Sequence, residues 1–159
     1  MTRRACLCAP LLAVGALNTS GTASAADLRP PTPTLAALRG RVVMLFYWSS
    51  GCPVCLDQWP ELRANAKGWL RHPFTLVAVN TDPTPGPWRE HERLMVLLRT
   101  QAPNVLSLWQ GELDPSLAAA GSLRRLPLTR VLDRQGREVS RVEGRVAPEA
   151  WDDVAALLP

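Results

Sequence analysis

Cys52 and Cys55 are the residues best suited to chemistry, because only two residues separate them in the run C-P-V-C. They follow a stretch of β-forming residues, 42–48, and open a segment with helical character, 56–70. A cysteine at a helix N-terminus meets unpaired backbone N–H groups and the positive end of the helix dipole, which together favour its thiolate. A thiol three residues further on is close enough to attack a mixed disulfide formed by the first. The spacing therefore predicts a redox pair in which Cys52 is the nucleophile and Cys55 the resolving thiol.

Three other uses of a cysteine pair compete with the redox interpretation. A zinc site needs two more ligands, and His72 and His91 lie far downstream without the close spacing of a zinc-binding histidine pair. A purely structural disulfide would close only a very small loop and so stabilise little. A copper-binding or copper-delivery module is the remaining alternative, because soft thiolates suit Cu(I), although no methionine or histidine lies near the pair in sequence. We expect no metal site and no cofactor other than the redox-active Cys52–Cys55 disulfide.

The composition is that of one globular domain. The chain has 159 residues, of which 47% are hydrophobic, and this is enough for a proper core. Its formal charge of +4 includes two arginines in a segment that we expect to be removed, so the mature protein is close to neutral. No basic block, and no basic stripe interleaved with aromatic residues, indicates nucleic-acid binding. We expect a monomer that binds other proteins and not nucleic acid.

Residues 1–25 have the features of a secretory signal peptide. Two arginines precede an apolar run at 5–17, and the small residues Ala-Ser-Ala at 23–25 form a cleavage site. The apolar run is too short to span a bilayer comfortably, so an uncleaved membrane anchor is the less favoured alternative. Cleavage would remove Cys6 and Cys8 and leave one cysteine pair in an exported, disulfide-permissive compartment, which we take to be the periplasm.

The rest of the chain divides into a proline-rich spacer, residues 26–34, and one domain, residues 35–159. Hydrophobic periodicity and turn residues predict the order β-α-β-α-β-α-β-β-α in this domain. The predicted strands are 41–48, 74–79, 105–109, 128–132 and 138–142, and the predicted helices are 52–70 (with Pro60 inside it), 88–101, 115–120 and 148–158. The fold class is therefore α/β: a central mixed sheet, with parallel strands and a C-terminal antiparallel hairpin, flanked by helices.

The two longer helices have apolar residues that we expect to face the core. In the first helix these are Leu62, Ala66, Trp69 and Leu70, and in the second they are Leu94, Met95, Leu97 and Leu98. His91 is expected to be an exposed residue of the second helix.

Four segments of the chain carry a family resemblance. They are L-x-x-L-R-G-R-V-V-M-L-F-Y-W at 35–48, C-P-V-C followed by P-E-L at 60–62, V-A-V-N-T-D at 77–82, and L-P-L-T at 126–129 followed by V-L-D-R-Q-G at 131–136. Together they resemble the thioredoxin-fold proteins of the TlpA/ResA/DsbE type, which are exported thiol–disulfide oxidoreductases. The resemblance covers nearly all of residues 35–159. It implies a thioredoxin-like fold and the reduction of disulfides in client proteins through the cysteine pair.

The resemblance also implies site residues outside the cysteine pair. Pro127 would be a cis-proline that faces the C-x-x-C, and with Leu126 it would form the wall of the substrate groove. Around the first cysteine, the expected substrate-binding residues are Gly51, Pro53 and Val54. The residues expected to support the pair are Trp48, which would pack beneath it, Gln58 and Pro60.

Partners and the direction of electron flow follow from the same resemblance. Electrons would come from a membrane thiol reductase of the DsbD/CcdA kind, and clients would include apocytochrome c in cytochrome c maturation, or copper-site assembly proteins. Pro53 lacks an N–H group and Val54 has no polar side chain, so the Cys52 thiolate has few donors and a strong oxidant is not expected. We therefore favour a reductive role.

Three positions depart from the family pattern. Gly51 replaces the usual tryptophan before the first cysteine, which predicts a more pliable loop and a smaller apolar contact surface. Phe46 stands where many relatives have a polar or acidic residue, and Gln58 replaces a glutamate. Because Gln58 cannot titrate, we hypothesise that Cys55 lacks a proton relay and that resolution of the mixed disulfide is slow.

Overall fold

The structure, a computed structural model, describes residues 32–98, 101–118, 123 and 125–159. The predicted signal peptide and the spacer up to residue 31 lie outside the described residues. Residues from Thr32 to Pro159 belong to one unit. Within the described part of the chain, no helix has the length and apolar character needed to cross a membrane.

A five-stranded mixed sheet forms the centre of the domain, in the order β3-β2-β1-β4-β5. The strands are β1 (Val42–Trp48), β2 (Phe74–Asn80), β3 (Val105–Trp109), β4 (Leu128–Leu132) and β5 (Glu138–Glu143). The first three strands are parallel, while β4 runs antiparallel to β1 and pairs with β5 as a hairpin. All seven residues of β1 and of β2 are buried, as expected for parallel strands covered on both faces. The predicted α/β fold class is confirmed.

Three α-helices flank the sheet, and each begins with a proline: α1 (Pro53–Gly68), α2 (Pro85–Leu97) and α3 (Pro148–Ala156). Proline suits the first helical position because its missing N–H would have no partner there. Helix α1 continues through Pro60. The predicted helix at 115–120 is wrong where it is described: Pro115–Leu117 is a single 3₁₀ turn, capped by the Asp114 side chain, and residues 119–120 lie outside the described residues.

The core has two halves, one on each face of the sheet, because side chains alternate along β1. Trp48 and Phe46 point to the face covered by the helices, where they meet Trp59 and Leu62 of α1. Tyr47 points to the opposite face, which is covered by short 3₁₀ turns and connecting segments. The helix-covered half also contains Cys55. Helix α1, which carries the cysteine pair and is called the redox helix below, is therefore anchored in the core.

Two predicted core faces need correction. Helix α2 contacts the core through Trp88 and His91, which leaves Leu94, Leu97 and Leu98 exposed and Met95 half-buried. The stripe that faces inward therefore starts at Trp88, and the leucines lie on other faces of the helix. In the first helix, Leu62 and Ala66 are buried as predicted and Trp69 is half-buried, but Leu70 is exposed because α1 ends before it, at Gly68.

Candidate redox site

Cys52 and Cys55 form a disulfide at the start of α1, with a Cα–Cα separation of 5.2 Å. Cys52 is the N-cap residue of the helix, and its sulfur accepts a hydrogen bond of 3.2 Å from the Cys55 N–H. Cys55 is fully buried, whereas Cys52 is half-buried. Cys52 is thus the more accessible of the two cysteines and lies where the helix N-terminus favours a thiolate.

Asp82 anchors the loop that precedes Cys52. Its carboxylate, which is buried, accepts hydrogen bonds from the Ser50 hydroxyl at 2.6 Å and from the Ser50 N–H at 3.2 Å. The Asn80 side-chain amide donates to it at 3.0 Å. Asp82 belongs to the V-A-V-N-T-D segment that carries the family resemblance, but it was not among the predicted site residues. Because β1 and β2 are parallel neighbours, the residues that follow them meet at one edge of the sheet, and this signal was available from the sequence.

Pro127 lies at the same edge of the sheet as the cysteine pair. Its peptide bond with Leu126 is cis, as the resemblance implied. Antiparallel pairing of β1 with β4 puts Tyr47 opposite Leu128, so the residue after Pro127 lies level with the end of the strand that leads to Cys52. Leu126 is half-buried and packs against both halves of the core. The substrate-binding role of Leu126 and Pro127 stays a prediction.

Gln58 is fully buried one turn after Cys55, and both ends of its amide pair with Val146. Val146 belongs to the connection between β5 and α3, which the sequence analysis did not assign to the site. In the same connection, the Gly144 N–H donates to the carbonyl of Pro127 at 2.7 Å. Gln58 therefore contacts a segment that also contacts the cis-proline.

Arg145, in the same connection, pairs with acidic residues of α1 on the outer side. Its guanidinium contacts the carboxylate of Asp57 and lies 3.9 Å from that of Glu61. These side chains are partly or largely exposed, so the ion pairs contribute little to stability. They nevertheless join the connection between β5 and α3 to helix α1.

Trp48 lies in the same core cluster as Cys55, and Cys52 packs against that cluster. The role of Trp48 in supporting the redox pair stays a prediction. Its ring contacts Trp59 edge-on at 5.2 Å and the imidazole of His91 at 4.6 Å. The prediction that His91 is exposed is wrong, because the ring is half-buried against both indoles. Burial, together with the smaller effect of the nearby Arg63 guanidinium, lowers the pKa of His91 to about 4. The imidazole is therefore neutral at pH 7.

The other predicted site residues lie mainly on the surface. Gly51, Pro53 and Val54 are exposed around Cys52, with Val54 at 45% exposure. A Cβ atom at Gly51 would meet only the Ser49 hydroxyl, at 3.8 Å, so the glycine is not needed for space. Pro60 is exposed two turns into α1, and its supporting role stays a prediction.

Phe46 fills the position where the family resemblance leads one to expect a polar residue. It is fully buried and packs edge-on against Trp59, with ring centroids 5.8 Å apart. Among the described residues, no three histidine, cysteine, aspartate or glutamate side chains cluster as metal ligands do.

A family model matches residues 22–111, which are more than half of the chain, and the chain therefore belongs to the AhpC/TSA family. With this membership and its sheet topology, the protein is a thioredoxin-like α/β protein with the C-x-x-C pair of the thiol–disulfide oxidoreductases. Comparison with curated protein sequences finds no significant match.

Solved structures with the same fold come from several bacteria. A thiol:disulfide interchange protein of the thioredoxin family from Chlorobium tepidum is 18% identical, with 80% of this chain and 96% of that chain covered and a TM-score of 0.59. The exposed lipoprotein thioredoxin of Streptococcus pneumoniae is 22% identical, with 77% and 90% covered and a TM-score of 0.57. A DsbF homologue from Corynebacterium diphtheriae is 19% identical, with 77% and 74% covered and a TM-score of 0.56.

Proposed function

We propose that the protein is an exported thiol–disulfide oxidoreductase of the TlpA/ResA/DsbE type that reduces disulfides of client proteins. The observation that carries this proposal is the position of the cysteine pair. Cys52 caps the N-terminus of α1 with a partly accessible sulfur, and Cys55 lies buried behind it within disulfide distance. This arrangement suits one attacking and one resolving thiol.

The reaction starts from the dithiol form. The Cys52 thiolate attacks one sulfur of the client disulfide, and the other client sulfur leaves as a thiolate that takes up a proton. The Cys55 thiol then loses its proton, and the resulting thiolate attacks the Cys52 sulfur of the mixed disulfide and expels the second client thiolate. Two electrons pass to the client, and the protein is left with the Cys52–Cys55 disulfide.

The chain's own residues would orient the client in this reaction. Leu126 and Pro127 lie at the sheet edge from which Cys52 emerges, where an extended client segment can pair with the backbone of Leu126. Val54 and Pro53 offer an exposed apolar surface next to the nucleophile. Such a surface fits unfolded or flexible segments around a client cysteine.

Export and the source of electrons complete the proposal. The signal-like features of residues 1–25 support a periplasmic location, and a membrane thiol reductase of the DsbD/CcdA type would return the Cys52–Cys55 disulfide to the dithiol. Apocytochrome c and copper-site assembly proteins are the proposed clients. N-terminal sequencing of protein recovered from the native compartment should give Ala26 as the first residue, because the proposed cleavage follows residue 25.

Trapping of client proteins tests the assigned roles. The Cys55→Ser variant, expressed in the native compartment, should accumulate mixed disulfides through Cys52, because the resolving thiol is gone. The Cys52→Ser variant is the matched control and should trap none. Accumulation in the Cys52→Ser variant alone would reverse the roles of the two thiols.

A turnover assay separates this proposal from the copper alternative. The reduced wild-type protein should reduce a protein disulfide such as those of insulin with catalytic turnover when a dithiol supplies electrons. Tight Cu(I) binding that either Cys→Ser change abolishes, together with no disulfide reduction, would favour the copper module instead.

A further inference from the structure

Position 58 of the redox helix makes a paired contact that no ionised side chain can make. The Gln58 Nε2 donates to the Val146 carbonyl at 3.3 Å, and the Val146 N–H donates to the Gln58 Oε1 at 3.2 Å. Gln58 is 0% exposed, so water cannot replace either bond at the surface. The backbone of Val146 presents one donor and one acceptor, and this fixes which end of the amide faces which group.

We propose that Gln58 is a positioning residue that holds the Pro127 side of the substrate groove in place against the redox helix, and that it must be neutral to do so. This inference rests on the proposed function and concerns the same site. An amide offers one donor and one acceptor to the Val146 peptide. A carboxylate only accepts, so it would leave the Val146 carbonyl without a donor and bring two acceptors together.

The link from Gln58 to the groove runs through a short connection. Val146 is two residues from Gly144, whose N–H donates to the Pro127 carbonyl at 2.7 Å. The preceding residue, Glu143, is paired with Leu128 in the sheet. Loss of the Gln58 contact would therefore loosen the segment that holds the carbonyl of Pro127. Pro127 and the neighbouring Leu126 are the predicted wall of the substrate groove.

The charged groups around this contact are mutually paired. Arg145 of the connection contacts Asp57 of α1 and lies near Glu61, and the Trp151 indole of α3 donates to Glu61 at 2.7 Å. Cys55, one turn before Gln58, titrates only in the dithiol form. No described cation among these is directed at the Gln58 amide, which suits a neutral group and would not favour a buried carboxylate.

This positioning role and the proton-relay hypothesis predict opposite results for one substitution. If the family glutamate acts as a relay and its loss slows resolution, Gln58→Glu should make disulfide exchange faster at neutral pH. If Gln58 holds the groove, Gln58→Glu should impair use of a protein substrate at neutral pH. A protonated glutamic acid again offers one donor and one acceptor, so the defect should disappear as the pH falls.

The experiment compares three variants with the wild type between pH 8 and pH 5, always as the ratio of variant to wild type at the same pH. Gln58→Glu is the test, Gln58→Met removes both hydrogen bonds without adding charge, and Gln135→Glu adds the same charge in the exposed β4–β5 turn as the matched control. The kinetic readouts are KM and kcat for insulin reduction. Reaction of the reduced protein with a small aromatic disulfide reports on the Cys52 thiol without the groove.

At pH 8, KM of Gln58→Glu for insulin should rise about tenfold, in line with a buried acceptor left without its donor, while the reaction with the small disulfide changes less than twofold. Towards pH 5 the KM ratio should return to near one. The Gln58→Met defect should not depend on pH, and Gln135→Glu should match the wild type throughout. A faster Gln58→Glu enzyme, an unchanged KM, or a defect independent of pH would each overturn the proposal.

Urea unfolding of the oxidised variants keeps the test independent of activity. Gln58→Glu should be less stable than the wild type at pH 8 and approach it at pH 5, and this readout applies even if the wild-type protein reduces no disulfide and the proposed function fails. A variant unfolded at pH 8 but folded at pH 5 gives the same support. A variant unfolded at both values would overturn the claim that a protonated carboxyl can replace the amide.

Discussion

Replacing Ser50 by alanine should destabilise the oxidised protein by about 1.5–3 kcal/mol, the contribution of a hydrogen bond to a charged group. The Ser50 hydroxyl donates to the carboxylate of Asp82 at 2.6 Å, and Asp82 is only 6% exposed. The carboxylate's donors, the Ser50 hydroxyl and N–H and the Asn80 amide, carry no charge, so each bond matters to it. Ser50→Ala removes one of these bonds and keeps the backbone bond.

The matched control is Ser49→Ala. The Ser49 hydroxyl accepts one hydrogen bond of 3.2 Å from the exposed Gly51 N–H, so its loss should cost no more than about 0.5 kcal/mol. Urea unfolding followed by circular dichroism gives both free energies of unfolding, and a double-mutant cycle with Asp82→Asn should give a coupling energy of about 1–2 kcal/mol with Ser50→Ala. Equal costs for the two alanine variants, or no coupling, would refute the anchoring role of Asp82.

Two further predictions concern the surroundings of the pair. Because burial lowers the pKa of His91 to about 4 from 6.5, the unfolded chain takes up a proton first, and stability present above pH 6.5 should fall between pH 6.5 and 4. Because the ring is half-buried and screened by solvent, the loss of stability over this range should be about 1–2 kcal/mol. In His91→Phe the difference between the urea midpoints at pH 7 and pH 4.5 should be smaller than in the wild type. Gly51→Trp should fold normally, since a Cβ there meets nothing closer than 3.8 Å, and should lower KM for insulin by enlarging the apolar surface; an unchanged or higher KM would count against substrate contact at Gly51.

The fold was predictable because its signals are local. β1 and β2 are short apolar runs bounded by turn residues, and such runs identify buried parallel strands without knowledge of their neighbours. The start of α1 was equally predictable, because a cysteine, a proline at the first helical position and a following apolar stripe coincide there. The hairpin of β4 and β5 followed from the turn between them.

The facing of α2 was not predictable in the same way. Leucines at 94, 97 and 98 form the more hydrophobic-looking side, yet the structure turns Trp88 and His91 inward. The reason is that Trp48 and Trp59 present their indole rings at that point, and the imidazole of His91 packs on both rings while its Nε2 lies 3.4 Å from the Arg63 guanidinium. This packing depends on β1, α1 and α2 together, and the hydrophobic periodicity of α2 alone does not reveal it.

The site divides along the same line. Spacing alone identified Cys52 and Cys55, whereas the contact between Gln58 and Val146 joins residues 88 positions apart and has no local signature. Against the glutamate that the family resemblance leads one to expect, Gln58 is a side chain of similar shape that cannot titrate. Beside the Val146 peptide the amide has a partner for each of its two ends. Under the proposed positioning role, glutamine therefore lacks a carboxylate that could take the proton of Cys55, and it makes a contact with the groove that does not change with pH. The pH profile of Gln58→Glu distinguishes this positioning role from a simple loss of the proton relay.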